Sequence, residues 1–490
     1  MISRQPASNI TVSALVISTR LWRFDVIDPT IFRAYDIRGI VDQSLTLEAV
    51  RAIGAAFASM VRETSGKGRP EVAIGYDGRL SSPTIEAALV DGLNDGGVDA
   101  VRIGLGPTPM LYFAVHHLES DAGVMVTGSH NPPDYNGLKM MMGHGPFHGE
   151  QIQEIARRAG QGAPEGTSRG GSRNVDLADI YVRRLQGDAE RGKELKVVWD
   201  AGNGAAGQVL EELVKGLPGH HTVLFGEIDG TFPNHHPDPT VPENLTDLIV
   251  AVAEQRADLG IALDGDGDRI GVIDGDGQVL WGDQLMALWS ADLLREQPGA
   301  TIIADVKASQ VLFDEIARLG GKPLMWQTGH SLIKQKMKEI GCPLAGEMSG
   351  HVFFADRYYG FDDALYAGIR LLNVLAAGDQ SLAAFRRGLP QVVNTPELRF
   401  DCDDGRKFVV IEEVRARLSD RGGDVVDVDG VRVSIAGGWW LLRASNTQPV
   451  LVARCEAPDE ERLDLVKKDL LAAVTPSGIT PPGLSRLRTH

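Results

Sequence analysis

A short β-branched run, a loop rich in glycine and polar residues, and an amphipathic helical stretch follow one another repeatedly along this chain. That repetition restricts the fold to α/β layers, with functional loops at the carboxyl ends of the strands. In the first third, residues 72–74 read as a buried strand and Gly75-Tyr76-Asp77-Gly78-Arg79 as its loop. A helix then begins at Ser82-Pro83, with Ser82 as N-cap and Pro83 at the first helical position. Ile85, Ala88, Leu89 and Leu93 share one face of it. Residues 101–103 and 123–126 read as further strands, the second running into Thr127-Gly128-Ser129-His130. The plan returns at Lys196-Val197-Val198-Trp199 with Asp200-Ala201-Gly202-Asn203-Gly204 behind it. It recurs at Thr301-Ile302-Ile303-Ala304, and at residues 323–326 with Thr328-Gly329-His330.

A chain of 490 residues is too long for one compact core. Residues 160–173, dominated by Gly, Ser and Arg, read as a linker after the first unit. From about Pro396 the pattern changes. Short strands at 431–435 and 451–455 precede a helix at 460–472, which suggests a smaller α+β domain, and the residues after Pro476 read as a frayed tail. The expected units are 27–174, 175–278, 279–390 and 391–490. Residues 1–26 are set apart. Through Phe24 they contain Arg4, Arg20 and Arg23, several Ser and Thr, and no acid. This faintly resembles an organellar transit peptide, but the stretch reads first as a disordered extension or an over-called start.

Composition narrows the partners. A hydrophobic share of 43% and a charged share of 23% suit a soluble globular protein. No apolar run approaches the roughly 20 residues that a membrane span needs. The net charge of -17 opposes a nucleic-acid partner while leaving room for a small anion in a locally basic cleft. Cys342, Cys402 and Cys455 are scattered without a CxxC pair. They suit a reducing compartment and give neither a disulfide framework nor a zinc site. A cytoplasmic protein, monomeric or dimeric, is expected.

Four motifs carry chemistry. In Thr127-Gly128-Ser129-His130-Asn131-Pro132, Gly128 is expected to turn the chain sharply and push the Ser129 hydroxyl outward. The GxSxG elbow of esterases is not matched, because Asn131 stands where the second glycine would be. In Asp264-Gly265-Asp266-Gly267-Asp268-Arg269, carboxylates at alternate positions can converge on one hard cation. An EF-hand is excluded, since Arg269 and Gly275 occupy the places of its sixth-position Gly and twelfth-position Glu. Mg²⁺ suits few carboxylates and a shell shared with phosphate. Asp274-Gly275-Asp276-Gly277 lies between strand-like runs and reads as a hairpin turn. Gly346-Glu347-Met348-Ser349-Gly350-His351 could present donors and acceptors to a polyol. Arg443-Ala444-Ser445-Asn446-Thr447-Gln448 offers a guanidinium, hydroxyls and an amide as a phosphate cradle.

In this order, the motifs resemble the α-D-phosphohexomutase superfamily, over a span from about Phe32 to about Ala472. Phe32-Arg33-Ala34-Tyr35-Asp36-Ile37-Arg38-Gly39, Asn136-Gly137-Leu138-Lys139, Asp305-Val306-Lys307 and Gly438-Trp439-Trp440 add to the likeness. The Gly-Glu-Met-Ser-Gly-His form is similar to the bacterial phosphomannomutase/phosphoglucomutase type. The resemblance implies three mixed α/β domains and a smaller C-terminal domain around a central active-site cleft. It implies an isomerase that interconverts hexose 6-phosphate and hexose 1-phosphate, of mannose and of glucose, through a hexose 1,6-bisphosphate that also acts as activator. Phosphoglucosamine mutase is the alternative for the substrate.

The resemblance also assigns roles. Ser129 would carry the phosphate and complete the Mg²⁺ shell of Asp264, Asp266 and Asp268. Glu347 and Ser349 would grip the sugar. Arg443, Ser445, Asn446 and Thr447 would hold the phosphate that is not reacting. Arg269 would stabilise the transferring group, and Lys139 or His330 would take the proton from the attacking hydroxyl. Tyr35, Arg38, His130, Lys307, Gly329 and His351 would complete the cleft. His116-His117, on a helix, and His235-His236, in a proline-rich loop, are expected to be structural. A metal-dependent phosphatase and a catalytically dead sugar-phosphate binder are the rival readings. The second would be expected to have lost Ser129 or an aspartate, and all four are present.

Overall fold

The computed structural model describes residues 27–162, 166, 168–419, 425–445 and 449–479. The N-terminal extension, Asn446, Thr447 and residues 480–490 lie outside them. In the first sheet the strand order is Ile37–Ile40, Tyr135–Met142, Ala122–Val126, Glu71–Tyr76, Asp99–Leu105 and Ser172–Asn174, with Gly145–Pro146 paired to Tyr135–Met142. Ala122–Val126, Glu71–Tyr76 and Asp99–Leu105 are parallel, so the loops that follow them open on one edge. Side chains alternate across this sheet as strand geometry requires. Val72 and Ile74 pack with Val50, Ile53, Ile85 and Leu89 on one face, while Ala73 joins Met110 and Leu111 on the other.

Two expectations need correction here. The helix is Ser82–Asp95, capped at Ser81 with no side-chain cap bond, so Ser82 is not the N-cap. Its hydroxyl donates instead to Asp77 Oδ1 at 2.5 Å, which ties the helix start to the loop before it. The expected linker also contributes structure. Its first residues end the helix Glu150–Gln161, and Ser172–Asn174 adds a parallel edge strand to Asp99–Leu105.

The second sheet runs Val279–Leu280, Ile270–Asp274, Leu259–Leu263, Lys196–Asp200 and His220–Leu224. Leu263 is paired with Ile270 across the antiparallel step, which leaves 264–269 as the loop joining two buried strands. The Asp274 turn is a hairpin, and its carboxylate accepts from the Asp276 and Gln278 amides at 2.9 and 3.0 Å. The third sheet runs Lys322–Trp326, Thr301–Asp305, Leu344–Gly346 and Val352–Phe354. The fourth, wholly antiparallel, is built on Val450–Ala457, Gly438–Ala444 and Val431–Ile435. The helices Asp404–Leu418 and Glu460–Val474 pack with it, the α+β arrangement expected. The chain does not fray directly after Pro476, because Thr475–Ser477 forms a 3-10 turn and Ile479 is buried.

Units one to three share one apolar core that includes Tyr112, Phe113, Tyr181, Trp199, Trp289 and Tyr366. The fourth has its own core around Trp440 and meets the third through a small cluster of Val306, Trp439 and Leu441. A polar latch surrounds that cluster. Glu456 Oε1 accepts from Ser309 Oγ, Gln310 N and Trp439 Nε1 at 2.9, 3.0 and 2.9 Å. Arg432 donates to the Val306 and Ala308 carbonyls and lies 3.6 Å over the Trp439 ring. No described helix is long and apolar enough to cross a membrane.

An unpaired buried donor costs about 1–3 kcal/mol, and Glu456→Ala leaves three. This variant should melt its fourth unit early and be cut by protease near residues 389–398 faster than the parent. Unchanged cleavage there would remove Glu456 from the latch.

Candidate active site

The strand Ala122–Val126 delivers its chain to a loop whose turn falls on Ser129, at a φ of 49°. A left-handed conformation costs a non-glycine residue roughly 1–2 kcal/mol, so the surroundings must hold it. Thr127 Oγ1 accepts from Ser129 N at 2.8 Å. Beneath the loop, the Arg79 guanidinium donates to the carbonyls of Ser129, Asn131, Pro132 and Tyr135 at 2.6–3.0 Å. Asp77 accepts from Gly128 N at 3.1 Å and pairs with Arg79.

Gly128 therefore serves a purpose other than the expected turn. A Cβ there would stand 2.4 Å from Arg79 Nε, so glycine opens the passage for the guanidinium. Nor does the Ser129 hydroxyl point outward. Ser129 is 2% exposed because the second unit closes on it, so tightly that a Cβ on Gly265 would lie 2.5 Å from the Ser129 carbonyl.

Across that contact, Ser129 Oγ donates to Asp264 Oδ2 at 3.0 Å and lies 3.0 Å from His130 Nδ1. Asp264, Asp266 and Asp268 are all fully buried. Lys139 crosses from the first unit, donating to Asp266 Oδ2 at 2.7 Å and also to Asp268. Thr108 Oγ1 donates to Asp266 Oδ2 at 2.5 Å. Burial and the two neighbouring carboxylates push Asp264 well above its ordinary value, and burial raises Asp268 too. Burial also acts upward on Asp266, but Lys139 and the hydroxyl donors outweigh it and hold that carboxyl low. Burial alone would lower Lys139, yet the aspartates keep its ammonium protonated well above the usual lysine range. The site fits a hard divalent cation. The three carboxylates offer oxygens within 4.8 Å of one another, Asp266 Oδ1 and Asp268 Oδ1 have no hydrogen-bond partner, and an ammonium already stands against two of them.

The third unit joins through Arg269, whose Nε donates to His351 Nε2 at 2.9 Å. His351 Nδ1 lies 3.1 Å from Asp362 Oδ2, and His330 Nδ1 lies 3.4 Å from the same oxygen. Burial drives His330 and His130 well below the usual histidine range. Lys334 closes the group with a 2.8 Å bond to Asp362 Oδ1. Glu347 Oε1 accepts from Gly329 N at 2.7 Å, and Lys307 Nζ lies 3.8 Å from Asp305, which burial raises to about 6. Ser349 is half-buried on the Glu347 loop. In the first unit Arg38 donates to Asn131 and pairs with Asp36, and Tyr35 Oη donates to the Thr328 carbonyl at 2.9 Å. In the fourth, Arg443 Nε donates to Asp429 Oδ2 at 3.0 Å, with Ser445 next along the chain.

Most of the sequence-derived residues thus meet in one connected network. That reading missed Asp77, Arg79, Thr108, Asp362 and Asp429. Asp362 was concealed because Phe361-Asp362-Asp363 reads as a helix start, and Asp363 does cap Ala364–Ala377, accepting from Tyr366 N at 2.9 Å. Of the histidines expected to be structural, His235 pairs with Asp200 at 2.9 Å, and His236 Nε2 lies 2.5 Å from the His130 carbonyl.

A lysine cannot span the four carbonyls that Arg79 holds. Hydrogen bonds to a charged group are each worth about 1.5–3 kcal/mol. Arg79→Lys should leave the apolar core intact and cut turnover by roughly ten- to a hundredfold, at ~1.4 kcal/mol per decade. Parent-like rates would show that the Ser129 loop holds its shape without Arg79.

The chain is similar to known proteins along most of its length. Residues 29–164, 179–277 and 281–393 match phosphoglucomutase/phosphomannomutase alpha/beta/alpha domains I, II and III, and residues 397–473 match its C-terminal domain. A phosphomannomutase/phosphoglucomutase of Pseudomonas aeruginosa is 45% identical over 438 residues, 89% of this chain and 94% of that one. A phosphoglucomutase of Neisseria gonorrhoeae is 44% identical over 91% of this chain and 96% of its own length. The crystal structure of a phosphoglucomutase/phosphomannomutase family protein from Burkholderia thailandensis superposes with a TM-score of 0.86 at 44% identity, covering 94% of this chain and 99% of that one. The chain belongs to the phosphoglucomutase/phosphomannomutase family.

Proposed function

We propose that this phosphohexomutase interconverts the 6- and 1-phosphates of mannose and glucose by way of a phosphate on Ser129. The observation that carries the reading is the placement of Ser129 Oγ, 3.0 Å from Asp264 and beside a carboxylate triad fit for a divalent cation. Mannose and glucose follow the names of the relatives at 44–45% identity, and they leave the glucosamine phosphate alternative unfavoured.

A phosphoryl group repels an incoming oxygen by its charge, so positioning and cationic clamping dominate its transfer. Asp264, Asp266 and Asp268 would hold Mg²⁺, which when bound offsets charge on the phosphate of Ser129. Lys139 and Arg269 add positive charge from the first and second units. A sugar hydroxyl attacks phosphorus, the bond from phosphorus to Ser129 Oγ breaks, and hexose 1,6-bisphosphate results. The attacking hydroxyl must lose a proton. Lys139 and His330 are the candidates for taking it. His351 Nε2 accepts from Arg269, which leaves the ring proton on Nδ1, facing Asp362. A turn of Arg269 onto the phosphate would free Nε2, and His330 stacks beside it with ring centres 5.5 Å apart. Glu347 and Ser349 would orient the sugar and Arg443 would hold the second phosphate. A phosphatase needs no such second anchor.

Peptide mass spectrometry of fresh enzyme should find phosphate on Ser129. Ser129→Ala should abolish nearly all turnover of glucose 1-phosphate, and Asp266→Asn should weaken its dependence on Mg²⁺. Parent-like turnover by Ser129→Ala overturns the mechanism. Arg443→Ala removes a charge-assisted phosphate fork worth about 1.5–3 kcal/mol. It should raise KM roughly ten- to a hundredfold and release more free bisphosphate. Unchanged KM with no added escape would favour a phosphatase.

A further inference from the structure

Three of the four units meet at one short stretch of backbone. The Thr328 amide donates to Asp429 Oδ2 of the fourth unit at 3.0 Å, and the Thr328 carbonyl accepts from Tyr35 Oη of the first at 2.9 Å. The next amide, Gly329 N, donates to Glu347 Oε1 at 2.7 Å. Gly329 is at a φ of 131°, and a Cβ on it would lie 2.6 Å from the Tyr35 ring, so only glycine fits. Asp429 Oδ2 is shared: the same oxygen takes Arg443 Nε at 3.0 Å. Arg443 and Asp429 are 8% and 16% exposed, a largely desolvated pair in which geometry counts for more than in an open surface pair.

We propose that Asp429 is a positioning residue. It locks the Arg443 phosphate anchor to the Thr328–Gly329 backbone, and so sets the distance between the anchored phosphate and the sugar-facing Glu347. This rests on the phosphohexomutase reading given above. A carboxylate beside a phosphate anchor is otherwise costly, since it repels the ligand's charge. Its presence is explained by what it holds. The contact runs through Nε, while a phosphate fork uses a pair of guanidinium N–H groups. Glu347 is tied to the same backbone, so a phosphosugar spanning Glu347 and Arg443 meets two contacts already set in register. Preorganisation of this kind favours binding because less order must be imposed on association.

The sign of the effect separates positioning from simple repulsion. Asp429→Leu keeps a side chain of similar size, removes the charge, and leaves no oxygen to accept from Arg443 or Thr328. If Asp429 only opposed the phosphate, KM for glucose 1-phosphate would fall. As a positioning residue its loss should raise KM about tenfold, with kcat changed by less than about threefold, using ~1.4 kcal/mol per decade. In an Arg443→Ala background the same substitution should add nothing, because residues acting through one contact are not additive. Hydrogen exchange of ligand-free enzyme supplies a readout without substrate: amides at 328–333 should lose protection in Asp429→Leu while the melting temperature holds. A KM that is unchanged or lower, a full effect retained in the Arg443→Ala background, or unaltered exchange at 328–333 each overturns the proposal. Failure of the parent to isomerise any hexose phosphate would instead strike the functional reading, with the exchange result still judging the clasp.

Discussion

Three carboxylates on one loop, taken out of water, repel one another and cannot stand without positive charge brought to them. Asp264, Asp266 and Asp268 are fully buried, and the nearest compensating charge in the ligand-free protein is Lys139, on a strand of a different sheet. Docking of the second unit to the first therefore both takes these carboxylates out of water and brings the ammonium that offsets them. The same docking covers Ser129, so the proposed nucleophile and the candidate cation site are made by one contact. Breaking such a buried group by removing one partner costs about 3–5 kcal/mol, which makes this seam the part of the molecule least able to tolerate change.

Charge compensation continues outward in a chain. Arg269, at the end of the aspartate loop, is drawn toward Asp264 and passes to His351, which faces Asp362, which Lys334 neutralises from the helix His330–Ile340. Each link is a charged or polar side chain left buried by the one before. A shared apolar core fixes units one to three in place, so these links are held to ångström tolerance by packing rather than by their own strength.

Much of this was legible in the sequence, and the reason is local. The alternating aspartates and the Asp274 hairpin between its strand-like runs are specified by neighbours a few residues apart, where glycine spacing and β-branched runs have direct structural meaning. What escaped depended on distant partners. Nothing near Gly128 reveals that a guanidinium from residue 79 passes beneath it, so the glycine was credited with a turn that Ser129 makes. Ser82 reads as an N-cap because helix propensity is local, whereas its bond to Asp77 serves a loop at the sheet edge. Asp362 and Asp429 lack any spacing signature. They matter through His351 and Arg443, which come from other segments of the chain.

The fourth unit stands apart in its physics. It has a separate core and meets the third through a small apolar cluster, Val306, Trp439 and Leu441 with Met325 and Val428 against them, and Glu456, Arg432 and Asp429 make directional contacts around it. Apolar burial is indifferent to small slides, whereas hydrogen bonds lose most of their strength when stretched by an ångström. An interface built mainly from the second kind holds one geometry well and has little to keep it in a neighbouring one. In the proposed mechanism a bisphosphate turns within the cleft, which would require that behaviour: firm register while a phosphate is anchored, and low resistance once the anchor lets go. In that mechanism Arg443 sits on the unit with its own core and the smaller shared cluster, and Ser129 on units that share a large one, an arrangement that would give movement to the anchor and rigidity to the chemistry.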